Sequence, residues 1–195
     1  MSQTTLDIKE PGLNSLPPGV ERYVVEGGGL TGIQILPDDE IEILNNEGNQ
    51  VCEISVFNKD GKSELAILNL KEAKDSSEIK KILFKKDETS LQALLQLKKR
   101  NLNIEKSKSS IVFDTGTKAG EKVKFKSKDK CYCIFAAPGN RMMVHEQNPS
   151  TELTITIKRS IIKEDKEFSL IPDPVYDPSN EINIARTTAN SYQVK

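Results

Sequence analysis

The chain contains no tryptophan, one histidine and three cysteines, and its 28 basic residues are matched by 29 acidic ones. Each shortage removes a class of function. Without tryptophan, aromatic stacking platforms are poorly supplied. A net charge of -1 gives no global field toward nucleic acid or an anionic membrane. An odd number of cysteines in 195 residues argues against a disulfide framework and for reduced thiols. No stretch approaches the roughly 20 apolar residues of a membrane span. The opening Met1-Ser2-Gln3-Thr4-Thr5 lacks the basic and apolar regions of a secretory leader. These exclusions predict a cytoplasmic protein whose partners are neither nucleic acid nor membrane.

The length is enough to bury a real core, although 29% charged against 36% hydrophobic residues predicts heavily charged faces. Pro11, Pro17 and Pro18 with Gly12 and Gly19 predict an extended N-terminal arm over 1–20. A single β-rich domain is expected over 21–170, with a helical insertion near 77–100. Period-two alternation supports the strands: Tyr23 with Val25, Ile41 with Ile43, then Val51, Ile54 and Val56. Asn45-Asn46-Glu47-Gly48-Asn49 tolerates positive φ and predicts a hairpin between the second and third of these runs. In the insertion, Ile79, Ile82 and Leu83 suggest a short helix, while Leu91, Leu94, Leu95 and Lys98 form a stripe on a longer one. Strands resume with Ile111-Val112-Phe113, a lysine-rich hairpin over 122–130, Cys131 to Ala137, Met142 to Val144 and the alternating Leu153, Ile155 and Ile157. The fold class is mainly β with one or two helices, an antiparallel β-sandwich or distorted barrel.

Pro172, Pro174 and Pro178 give 171–195 a linker composition. The Tyr-x-Val phrase of Tyr23-Val24-Val25 returns at Tyr192-Gln193-Val194, as though a second copy begins there. The expectation is a domain from a longer polypeptide, with the other domains of that polypeptide as partners and a homo-oligomer as a further association.

Candidate chemistry is thin. Ile111-Val112-Phe113-Asp114-Thr115-Gly116 resembles the apolar-apolar-Asp-Thr-Gly segment of aspartic proteases, where two carboxylates share a proton. One copy needs a second chain to make the pair, and a strand ending in an Asp-Thr-Gly turn is common in β proteins. Gly27-Gly28-Gly29 and Gly116 to Gly120 lack phosphate-loop spacing and read as turns. Cys52, Cys131, Cys133 and His145, with Glu53, carry zinc-donor chemistry without diagnostic spacing. Cys131 and Cys133, being alternate strand residues, share a face, which suits joint ligation or two small buried hydrophobes. No nucleophile accompanies His145 in any motif, so no catalytic residue is assigned.

Pro37-Asp38-Asp39-Glu40-Ile41-Glu42-Ile43 followed by Glu47-Gly48-Asn49-Gln50-Val51-Cys52-Glu53-Ile54 resembles the urea carboxylase-associated family over about residues 23 to 57. Glu53 stands where that family carries Asp. The resemblance implies a β-rich domain of the type found before an aminomethyltransferase domain like the glycine-cleavage T protein. It places tetrahydrofolate in the parent protein and no cofactor in this chain. The expected function is a non-catalytic accessory or substrate-handling domain in one-carbon or nitrogen metabolism. Two alternatives accompany it: a small-molecule or metal pocket around Glu53, Cys52 and His145, and a hydrolase using Asp114.

Overall fold

Alternation decides which way each strand faces, and the charged residues that share phase with apolar ones go inside too. The computed structural model describes residues 8–9, 19–74, 77–85, 87–139 and 149–160. Nine strands are present there: β1 (Ile8–Lys9), β2 (Val20–Val25), β3 (Leu30–Ile35), β4 (Glu40–Asn45), β5 (Cys52–Asn58), β6 (Ser109–Phe113), β7 (Glu121–Lys126), β8 (Cys131–Ala136) and β9 (Leu153–Lys158). One sheet runs β1-β3-β8-β5-β6 and the other β2-β9-β4-β7. All pairings are antiparallel except the short β1 beside β3. The sheets pack face to face without closing into a barrel, as an antiparallel sandwich. Within the segment expected to be an arm, β1 is thus a sheet edge. The expectations for Met142 to Val144 and for 171–195 lie outside the described residues.

Two cores result. Ile41, Ile43, Ile54, Val56, Phe135, Ile155 and Ile157 fill the space between the sheets. On the other face of the five-stranded sheet, Phe57 and Ile134 pack against Ile79, Leu83, Ala93 and Leu97 from the helices α1 (Glu78–Leu83) and α2 (Glu88–Lys99). Strands β5 and β8 are therefore covered on both sides, which is why Cys131 to Ala137 reads as a nearly unbroken apolar run.

Helix α2 begins at Asp87, whose Oδ1 accepts from the Ser90 amide at 2.7 Å. That bond holds the Asp87 carboxyl below its usual range. Lys98 and Lys99 sit at the opposite end, where the helix dipole favours cations. The buried side of α2 is Ser90, Ala93 and Leu97. Leu91 and Leu95, expected on the packed stripe, are instead 52% and 58% exposed. Ser90, Ala93 and Leu97 thus form the side turned to the second core, with Leu91 and Leu95 outside it.

Neither expected hairpin forms. Strand β4 pairs with β7 and β9, and β5 with β6 and β8, so the 46–51 turn carries the chain from one sheet to the other. Strands β7 and β8 are divided in the same way. Alternation specifies an inward face but not the neighbour, and an arch across the sandwich satisfies it as well as a hairpin does. The arch is fixed by Asn45, which donates through Nδ2 to the Gln50 carbonyl at 2.8 Å and accepts from the Gly48 amide at 3.0 Å. Gly48 has φ 81°, and a Cβ there would come within 2.6 Å of the Ala119 nitrogen, so glycine is required.

Candidate functional site

Three charged residues sit in phase with apolar partners: Glu21 with Tyr23 and Val25, Asp39 with Ile41 and Ile43, and Arg159 with Ile155 and Ile157. All three are buried at one end of the sandwich. The Arg159 Nη1 lies 2.6 Å from Asp39 Oδ2 and donates to the Gln34 carbonyl at 3.0 Å, while Nη2 bonds Glu21 Oε2. Tyr23 donates its hydroxyl to the same Glu21 oxygen at 2.7 Å. Asp39 also accepts from the Leu36 and Ser160 amides, each at 2.9 Å. The network joins β2, the β3–β4 turn and the residues after β9. Burial alone pulls the Arg159 guanidinium pKa down, but the hydrogen bonds to Glu21 and Asp39 outweigh it and the net shift is upward. Every partner found here locks one strand end to another. Arg159 Nε is buried without a hydrogen bond.

The same end carries the paired thiols. Cys131 and Cys133 are buried with their sulfurs 3.8 Å apart, and Ser127 Oγ lies 3.7 Å from the Cys131 sulfur. The contact with Cys133 draws the Cys131 thiol pKa down, whereas burial pushes Cys133 well up. Cys52 faces the same interior, but β8 pairs Cys133 with Val56, four positions along β5 from Cys52. Glu53 points through the opposite face of the sheet, where its Oε2 accepts from the Glu78 and Ile79 amides at 2.8 and 3.3 Å. Its Oε1 is buried without a partner.

The candidate pocket of Glu53, Cys52, His145 and Asp114 is not assembled by the described residues. Consecutive strand residues face opposite sides, so Glu53 and Cys52 cannot share a cavity. Asp114 is exposed, with Oδ1 accepting from the Gly116 amide at 2.8 Å and its own amide donating to Thr117 Oγ1 at 3.1 Å. The Asp-Thr-Gly phrase is thus a turn joining β6 to β7, with the carboxylate engaged in holding it. His145 lies outside the described residues. Among those residues no three His, Cys, Asp or Glu side chains are placed to hold a metal ion. No described helix is long and apolar enough to cross a membrane.

One cleft of about 270 Å³ opens between the glycine turn and the helices, bordered by Glu26, Gly28, Lys85, Asp87 and Thr89. Two of its glycine amides are already bonded, Gly28 to the Ala137 carbonyl at 2.7 Å and Gly29 to that of Glu26 at 2.8 Å. With acids on both rims and these amides engaged, it is not shaped as an anion cradle.

Comparison with known proteins sets these observations in a larger frame. No protein-family model matches the chain. It is 35% identical over 189 residues, 96% of its length, to the curated trimethylamine-oxide aldolase of Ruegeria pomeroyi. This chain is related to part of a larger enzyme. It spans 24% of that relative's length.

The buried thiols make a pH prediction. Burial, with the neighbouring Glu53 charge adding to it, raises the Cys52 thiol pKa far above its ordinary value of 9.0. Burial and the Glu21 hydrogen bond likewise raise the Tyr23 hydroxyl pKa from 10.0. Both groups have folded pKa values above their unfolded ones, so their contribution is complete below about pH 9 and declines as pH rises and the unfolded chain ionises. Urea midpoints should hold between pH 7 and about 8.5, then fall. Cys52→Ala should make that fall shallower without moving its onset, because the Cys133 thiol, also pushed up by burial, still titrates from the same range in the unfolded chain.

Proposed function

We propose that this chain is a non-catalytic scaffold domain of a longer polypeptide that acts on trimethylamine oxide, its remaining segments carrying the chemistry. The observation that carries the reading is the alignment of nearly the whole chain with a quarter of the aldolase. The fold supports it, because the residues resembling the urea carboxylase-associated pattern have structural work. Asn45, Gly48 and Gln50 build the arch, Asp39 anchors Arg159, and Glu53 receives the start of α1. In this reading the aminomethyltransferase link and tetrahydrofolate belong to other segments of the parent, where a one-carbon fragment from an N-methyl group would be taken up.

The test is a segment exchange. The matching quarter of the Ruegeria pomeroyi enzyme is replaced by this chain, and trimethylamine oxide consumption is followed alongside the 195-residue chain alone. The chimera should turn over substrate, the chain alone should not, and deletion of the segment should abolish soluble, active enzyme. Turnover by the isolated chain, or an active deletion variant, would overturn the scaffold assignment.

A further inference from the structure

We propose that α2 is a contact between two copies of this chain, paired antiparallel about a two-fold axis. This rests on the surface of α2 alone and is independent of the scaffold reading. Glu88, Leu91, Leu95 and Lys98 are all exposed and fall at spacings of three, four and three residues. That is the a/d seam of a helix pair. It lies on the side away from Ser90, Ala93 and Leu97, which seat α2 on the sheet.

The order of the seam is self-complementary. A two-fold axis level with residue 93 sets Leu91 of one copy against Leu95 of the other, and Glu88 against Lys98. The apolar pair and the ion pair then each form twice, as an isologous contact requires. A parallel pairing would oppose like charges at each end. The second copy is therefore the occupant that charge complementarity selects. Phe84, 42% exposed, and the half-buried Leu94 widen the apolar area beside the seam. They border a hollow of about 350 Å³ with Leu97, Lys98 and Leu102. One helix face with this border is small beside the roughly 1,200–2,000 Å² of a standard interface. The dimer should accordingly be concentration-dependent, with a Kd of about micromolar order.

Sedimentation velocity of the 195-residue chain between about 1 and 500 μM reads this directly. The expected result is a monomer–dimer equilibrium. Leu91→Glu should weaken Kd at least about 100-fold, because the change occurs twice across the axis. Glu88→Lys should weaken it about tenfold at low salt, and the Glu88→Lys, Lys98→Glu double variant should recover it. Circular dichroism should be unchanged in all three, since no substituted side chain is buried. Three results would overturn the proposal: a monomer throughout, a dimer indifferent to Leu91→Glu, or a double variant no tighter than Glu88→Lys alone.

Discussion

Arg159→Met should cost about 3–5 kcal/mol of folding free energy, because it removes the cation that, among the described residues, pairs with both buried acids. Glu21 and Asp39 would remain buried without their bonds to Arg159, and the carboxylate to which Tyr23 donates would lose that guanidinium. Equilibrium urea unfolding reads the loss as a lower midpoint at constant slope. Adding Glu21→Gln and Asp39→Asn should return part of the stability, since the amides carry no charge to desolvate. After the second of these changes, the side-chain carbonyl at position 39 could still accept from one of the two backbone amides that Asp39 serves. A loss below about 1 kcal/mol in the single variant would show the acids to be solvated, at odds with the buried network.

The second large effect belongs to Phe57. Its ring is fully buried on the helix-facing side of β5, among Ile79, Leu83, Leu97 and Ile134. Phe57→Ala should cost about 3–5 kcal/mol, the range for deleting a buried aromatic ring from a core. At about 2–4 °C per kcal/mol for a chain of this size, Tm should drop by about 6–20 °C. The damage should be uneven. Residues of α1 and α2 rest on the second core alone, so their amides should lose exchange protection first, while those of β4 and β9 keep theirs. Equal loss across both sheets would mean that the two cores are a single cooperative unit.

Much of the sandwich was legible because its strands alternate cleanly. Ile41 with Ile43 and Ile155 with Ile157 announce an inward face, and the helical spacing over 78–99 marks α1 and α2. Pairing was not legible, because alternation names a face and leaves the neighbour open; β4 and β5 look like a hairpin and are an arch. The α2 stripe misled for a related reason. Spacing marks a stripe without saying which side is packed, and it is Ser90, Ala93 and Leu97 that go inside. The Arg159 network does leave a signal in the sequence. Glu21, Asp39 and Arg159 each continue an apolar period, and charges held in phase with a buried face require partners there. What no local pattern could supply was the match among them, because 120 and 138 positions separate Arg159 from its two acids. Of the site candidates, Cys52 and Glu53 are parted by phase, since they are adjacent and face opposite ways.

Gln50 has a wider consequence than closing its own turn. Its Nε2 donates to the Pro138 carbonyl at 2.9 Å, and its Oε1 accepts from the Thr151 amide at 2.8 Å. One side chain thereby fixes both feet of the segment between β8 and β9, and the separation of those feet does not depend on how much chain joins them. The same residue closes the arch between the sheets, so a single residue is the clasp at which three stretches of the sandwich meet, and its loss would loosen all three together.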